Sequence, residues 1–148
     1  MSVLVDTNVL LRSAQPSHHL NPQATYAVSN LLRQNETVCF CPQNIAEFWN
    51  VATRPANPNA LGYSIVEVLK EVANIEALLT LVPDGPGIYT EWKRIVRDHQ
   101  VRGVKVYDAR FVAVAMVHGI GSILTFNSAD FKRFSGINAL HPTSLLAG

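Results

Sequence analysis

The residues able to do chemistry in this chain are four carboxylates, Asp6, Glu47, Asp108 and Asp130. Asp6 ends the apolar run Val3-Leu4-Val5, and Asp130 follows Ser122-Ile123-Leu124-Thr125-Phe126 after Asn127-Ser128-Ala129. Glu47 lies within Ile45-Ala46-Glu47-Phe48-Trp49, and Asp108 precedes the apolar stretch Phe111-Val112-Ala113-Val114-Ala115-Met116-Val117. Only eleven Asp and Glu occur among 148 residues, so four at strand ends, helix starts or between apolar residues point to one shared task. Carboxylates gathered in a crevice need a counter-ion to stay ionised, and hard cations such as Mg²⁺ and Mn²⁺ take oxygen ligands. The expected task is therefore to hold divalent metal. Thr7, Asn8, Thr125 and Asn127 stand beside the acids and are suited to orienting carboxylates and bound water.

Each acid also has a structural reading. Asp6 can form an Asx-turn or cap a following helix. Glu47 can be an exposed point on an amphipathic helix. Asp108 suits the first turn of a helix, where the dipole favours negative charge. Asp130 can cap a short helix or pair with Lys132 or Arg133, and Asn44 reads as ordinary cap chemistry. Cys39 and Cys41 are one residue apart, on one face of a strand, with no second pair to complete a zinc site; they read as buried reduced thiols. His18 and His19 match no ligand spacing, and Trp49 and Trp92 read as core or interface residues rather than base-stacking platforms.

Positioning four distant acids at one place requires an ordered scaffold. Short Val-, Ile- and Leu-rich runs alternate with longer helical patterns, the sign of an α/β domain with a mostly parallel sheet. The pattern predicts strands over 2–6, 37–41, 78–82, 121–126 and 137–140. It predicts helices over 23–34, 43–53, 64–76, 86–99, 107–118 and 128–133, with Gly119 and Gly121 stopping the fifth. The Pro- and Asn-rich stretch 54–62 reads as a loop. In such sheets ligands bind outside the C-terminal strand ends, which is where the acids fall.

Length and an apolar fraction of 48% fit one globular domain over 1–148. A net charge of +1 excludes whole-surface attraction to nucleic acid, although eight of the twelve Lys and Arg lie beyond Val82 and allow a local patch. No apolar run is long enough to span a bilayer and no leader pattern is evident, so the expected location is cytoplasmic and away from membranes.

The motifs Val3-Leu4-Val5-Asp6-Thr7-Asn8-Val9-Leu10, Ile45-Ala46-Glu47-Phe48-Trp49, Tyr107-Asp108-Ala109 and Leu124-Thr125-Phe126-Asn127-Ser128-Ala129-Asp130-Phe131, in this order, resemble those of PIN-domain nucleases. The resemblance spans almost the whole chain. It implies a single PIN-like domain with about five strands flanked by helices, and a Mg²⁺- or Mn²⁺-dependent ribonuclease whose metal and catalytic residues are Asp6, Glu47, Asp108 and Asp130. Many compact proteins of this family are VapC-like toxins of toxin–antitoxin pairs, so the resemblance further implies an RNA substrate, a cognate antitoxin and a homodimer. Some family members carry an acid at the position of Asn127, so here metal binding by the last motif rests on Asp130, with Asn127 either coordinating through its amide oxygen or positioning water. Two other readings remain at the level of sequence: a PIN-like RNA-binding or regulatory module, and a phosphatase using Asp6 as nucleophile. The latter lacks a second aspartate two residues on, because Asn8 stands there.

Overall fold

The computed structural model describes residues 1–57 and 60–146. Pro58 and Asn59 of the expected loop 54–62 lie outside the described residues. Five strands form one parallel sheet: β1 (Ser2–Val5), β2 (Thr37–Phe40), β3 (Thr80–Leu81), β4 (Ser122–Leu124) and β5 (Asn138–Leu140), in the order β3-β2-β1-β4-β5. Among the described residues seven α-helices accompany them: α1 (Thr7–Ser13), α2 (Asn21–Arg33), α3 (Pro42–Ala52), α4 (Ile65–Leu78), α5 (Ile88–Asp98), α6 (Lys105–Val117) and α7 (Ser128–Phe131), followed by a 3-10 turn at Pro142–Leu145.

The strands are apolar on both sides because helices cover both faces, as parallel sheets require. Val3, Val5, Val38, Phe40 and Leu124 face α1 to α4 in one core cluster; Leu4, Cys39, Cys41 and Ile123 face α5 and α6 in the other. The two free cysteines thus share a face and a buried setting. Helix α6 buries Ala109, Phe111, Val112, Ala113, Val114 and Ala115, so it is apolar nearly all round and packs as a core element. It ends at Val117, and Gly119 just beyond, with a φ of 69°, permits Ile120 N–H to reach back to Ala115 O at 2.7 Å.

Three expectations change. Helix α1 was not foreseen: seven residues are too few to show a helical period, and consecutive buried Val9, Leu10 and Leu11 mask its faces. The strand expected over 78–82 shrinks to Thr80–Leu81, because α4 runs on to Leu78. Helix α6 begins at Lys105, which moves Asp108 from the helix start to its fourth residue.

Replacing Phe111 (1% exposed) with Ala should cost about 3–5 kcal/mol, since the closed core cannot collapse around the lost ring. Val117→Ala at the rim of the same helix, 39% exposed, should change stability by about 0.5 kcal/mol or less. Urea titrations of the two variants check the difference.

Candidate functional site

The order β3-β2-β1-β4-β5 sends the chain to one side of β1 first and to the other side later. The crevice therefore opens outside the C-terminal ends of β1 and β4. Asp6 follows β1 directly, and its backbone N–H donates to Leu124 O at 2.8 Å. The residue occupies the N-cap position of α1, yet its side chain makes no cap hydrogen bond. Its Oδ2 instead accepts the Thr125 hydroxyl from the end of β4 at 2.7 Å. That geometry removes the capping explanation for Asp6.

Asp6 is 7% exposed, and its carboxyl is pushed up to about 6 from 3.8. Burial is the main cause. The Thr125 hydrogen bond opposes it, Asp108 adds repulsion, the Thr7 backbone N–H opposes, and Glu47 adds further repulsion. Two of the other acids thus act on Asp6 electrostatically.

Glu47 stands on α3, which starts immediately after β2. It is half-buried rather than an exposed helix point, and both its oxygens are engaged. Thr7 donates to Oε1 at 2.8 Å and Gln43 donates to Oε2 at 2.9 Å. Asn44, fully buried, does more than cap α3. Its Oδ1 accepts the Cys41 N–H at 2.8 Å, and its Nδ2 donates to Val5 O at 3.0 Å and Thr7 Oγ1 at 3.2 Å. One amide thereby ties the ends of β1 and β2 to the hydroxyl that holds Glu47.

Asp108, in the first turn of α6, is half-buried. Its carboxyl is raised by burial, lowered by Lys105, and raised by repulsion from Asp130 and Glu47. Asp130, on α7, pairs with Lys105 at 2.8 Å and not with Lys132 or Arg133. The Arg133 guanidinium turns to His99 O instead. Among the described residues, no three His, Cys, Asp or Glu side chains are already arranged as a metal cage. The four acids instead form an electrostatically linked row, Asp6 with Glu47 and Asp108, and Asp108 with Asp130.

The four polar neighbours act unequally. Thr125 orients Asp6, and Thr7 orients Glu47. Asn8 reaches β4 through weaker contacts at 3.4 Å, Nδ2 to Thr125 Oγ1 and Oδ1 from Phe126 N–H. Asn127 is exposed and contributes its backbone N–H, which donates to Thr125 Oγ1 at 2.9 Å.

Sequence reasoning missed two groups. Lys105 is the counter-charge of the Asp108–Asp130 side, and its spacing of three residues from Asp108 in a helix was the available signal. Gln43 bridges Glu47 Oε2 to Tyr107 O at 3.0 Å, and Arg110 holds Gln43 Oε1 at 3.1 Å while pairing with Asp84 at 3.1 Å. Trp92 is partly buried against the second core cluster, and its Nε1 donates to Val106 O at 2.8 Å, just before the Asp108 turn.

The PIN domain family matches the chain over residues 3–137, and the chain belongs to that family. No curated protein matches it at the level of sequence. Among solved structures, VapBC2 from Rickettsia felis, bound to a promoter DNA fragment, is similar with a TM-score of 0.69 and 13% identity, over 95% of this chain and 98% of that one. VapBC-1 from nontypeable Haemophilus influenzae gives 0.68 at 12% identity, over 97% and 99%. VapC20 from Mycobacterium tuberculosis, described as a sarcin-ricin loop cleaving toxin, gives 0.60 at 17% identity, over 82% and 86%. At such identities the likeness is one of fold.

The raised Asp6 carboxyl has a thermodynamic consequence. Its value in the folded chain, about 6, lies above the unfolded value near 4, so without metal the folded state holds this proton more tightly. The resulting stabilisation is complete below about pH 4 and is lost as pH rises through about 6. Melting curves without divalent cations should show wild type losing on the order of 3 kcal/mol across that window relative to Asp6→Asn. Parallel pH profiles for the two proteins would refute the assignment of the shift to Asp6.

Proposed function

We propose that residues 1–148 form one PIN-like nuclease domain, a cytoplasmic endoribonuclease that hydrolyses RNA phosphodiester bonds using Mg²⁺ or Mn²⁺. We assign it the role of toxin in a toxin–antitoxin pair. The observation that carries this reading is the buried Asp6 carboxylate at the β1–β4 crevice, repelled by Asp108 and Glu47. Acids held together against their own repulsion favour a cationic ligand. The donors are carboxylate and hydroxyl oxygens, which fit a hard divalent ion.

Asp6, Glu47, Asp108 and Asp130 would hold the cation. When bound, it would supply Lewis-acid polarisation of the scissile phosphate and the attacking water. Asp6 would be the central ligand, its orientation fixed by the Thr125 hydroxyl. Glu47, gripped by Thr7 and Gln43, keeps one carboxylate orientation and is suited to binding the cation or accepting the water's proton. Asp108 and Asp130 would complete the cluster, with Asn8 and Asn127 steadying the Thr125 hydroxyl from either side.

The description of VapC20 as a loop-cleaving toxin supports RNA as the substrate class, and the VapBC pairing of the other similar structures supports an antitoxin partner. Exposed Ile65, Val66, Leu69 and Leu78 along α4 are apolar surface that a protein partner would cover, in line with a homodimer. The chain contains no helix, among its described residues, that is long and apolar enough to cross a membrane.

Purified protein should cleave single-stranded or loop RNA with Mg²⁺ or Mn²⁺ and lose that activity in excess chelator. Asp6→Asn and Asp108→Asn should each lower the rate by orders of magnitude with unchanged circular dichroism. RNA retention without turnover by the wild type would instead favour the non-catalytic binding module. Independently, light scattering at micromolar concentration should give twice the chain mass of 16.3 kDa. A mass that stays at one chain would remove the homodimer from the proposal.

A further inference from the structure

Lys105 breaks a local rule. It is the first residue of α6, where the helix dipole favours negative charge and disfavours a cation. Its ammonium nonetheless donates to Asp130 Oδ2 at 2.8 Å and lies 3.9 Å from Asp108 Oδ2. Those acids belong to different helices, α6 and α7, so the lysine is what joins them. Asp6 and Glu47 are held differently. Their side-chain donors are the Thr125 and Thr7 hydroxyls and the Gln43 amide, neutral groups that leave the negative charge uncancelled. Charge compensation across the row of acids is therefore one-sided. A residue that violates a local preference where other acids compensate for it points to a job in the site.

Resting on the reading of these acids as metal ligands, we infer that Lys105 is a tethered cation that fills the Asp108–Asp130 side of the cluster and restricts the site to one divalent ion on the Asp6–Glu47 side. A second ion spanning Asp108 and Asp130 would need to sit about 2.0–2.1 Å from their oxygens if it were Mg²⁺. It would compete for the oxygen that Lys105 already holds, and like charges that close repel strongly near a partly desolvated crevice. The lysine is held in advance by its position one helical turn before Asp108. Its side chain is 46% exposed, so substitution leaves the core intact.

Mn²⁺ titration of the whole chain at pH 7, followed by the electron paramagnetic resonance signal of free Mn²⁺, tests this directly. Wild type should bind one Mn²⁺. Lys105→Met should gain a second, at least tenfold tighter than any second binding in wild type, and Lys105→Arg should remain at one because the positive charge is kept. Adding Asp130→Asn to Lys105→Met should abolish the gained ion. Circular dichroism verifies folding first, and Lys105→Gln serves in place of Lys105→Met if the latter does not fold. Identical stoichiometry and affinity in wild type and Lys105→Met, or two ions in wild type, would overturn the lysine's role while leaving the metal reading intact. Absence of Mn²⁺ binding in every variant would overturn the metal reading and this inference together.

Discussion

The structure is organised around one costly act, the burial of the Asp6 carboxylate where β1 and β4 end. Its backbone N–H completes the pairing of β1 with β4 through Leu124 O, so the residue cannot withdraw without loosening the sheet. Its side chain then emerges where little water remains to solvate a charge. Thr125 answers that problem. A hydroxyl has one proton to give and two lone pairs, and here the proton goes to Asp6 Oδ2 while the lone pairs receive Asn127 N–H and Asn8 Nδ2. With every position taken, the hydroxyl cannot rotate away. Burial, joined by repulsion from Asp108 and Glu47, still outweighs this hydroxyl and the Thr7 N–H, and the Asp6 carboxyl rises to about 6.

A second network does for Glu47 what Thr125 does for Asp6, and its two branches both end on the Glu47 carboxylate. Asn44 donates to Thr7, Thr7 donates to Glu47, and on the other side Arg110 holds the Gln43 that donates to Glu47. One branch begins at Cys41 N–H, which donates to the Asn44 amide that also donates to Val5 O; the other begins at Arg110, which also pairs with Asp84. Glu47 is thereby oriented by β1, β2 and α6 together although it belongs only to α3. Networks of this kind hold their geometry because each member's capacity is committed, and leaving one buried partner unmatched costs about 1–3 kcal/mol.

Much of this was legible in the sequence, for a physical reason. Strands covered on both faces read as unbroken apolar runs, and Val3-Leu4-Val5 and Ser122-Ile123-Leu124 each announce both a strand and its C-terminal end. The acids following those ends therefore group together from the sequence alone. Helix α1 was hidden because Val9, Leu10 and Leu11 bury successive positions against α2 and α3, erasing the period that marks a helix. The structural alternative for Asp130, a pair with Lys132 or Arg133, drew on neighbours in sequence, whereas Lys105, 25 residues away, is the neighbour in space. The Gln43–Arg110 link joins residues 67 apart through an uncharged amide, and nothing in local composition encodes such a contact.

Of the eight basic side chains beyond Val82, four are already paired with acids. Arg94 pairs with Glu91 and Asp98, Arg97 with Asp98, Arg110 with Asp84, and Lys105 with Asp130. These pairs are largely exposed and contribute little to stability, but each places a carboxylate beside a cation that would otherwise attract phosphate. The net charge of +1 gives no whole-surface attraction to a polyanion. If RNA is the substrate, as proposed, its recognition would rest on Lys93, Arg102, Lys132 and Arg133, which are outside these ion pairs, and on groups around the crevice. In that reading added weight would fall on the geometry of the acids themselves, and on whichever cation, tethered or bound, would neutralise them.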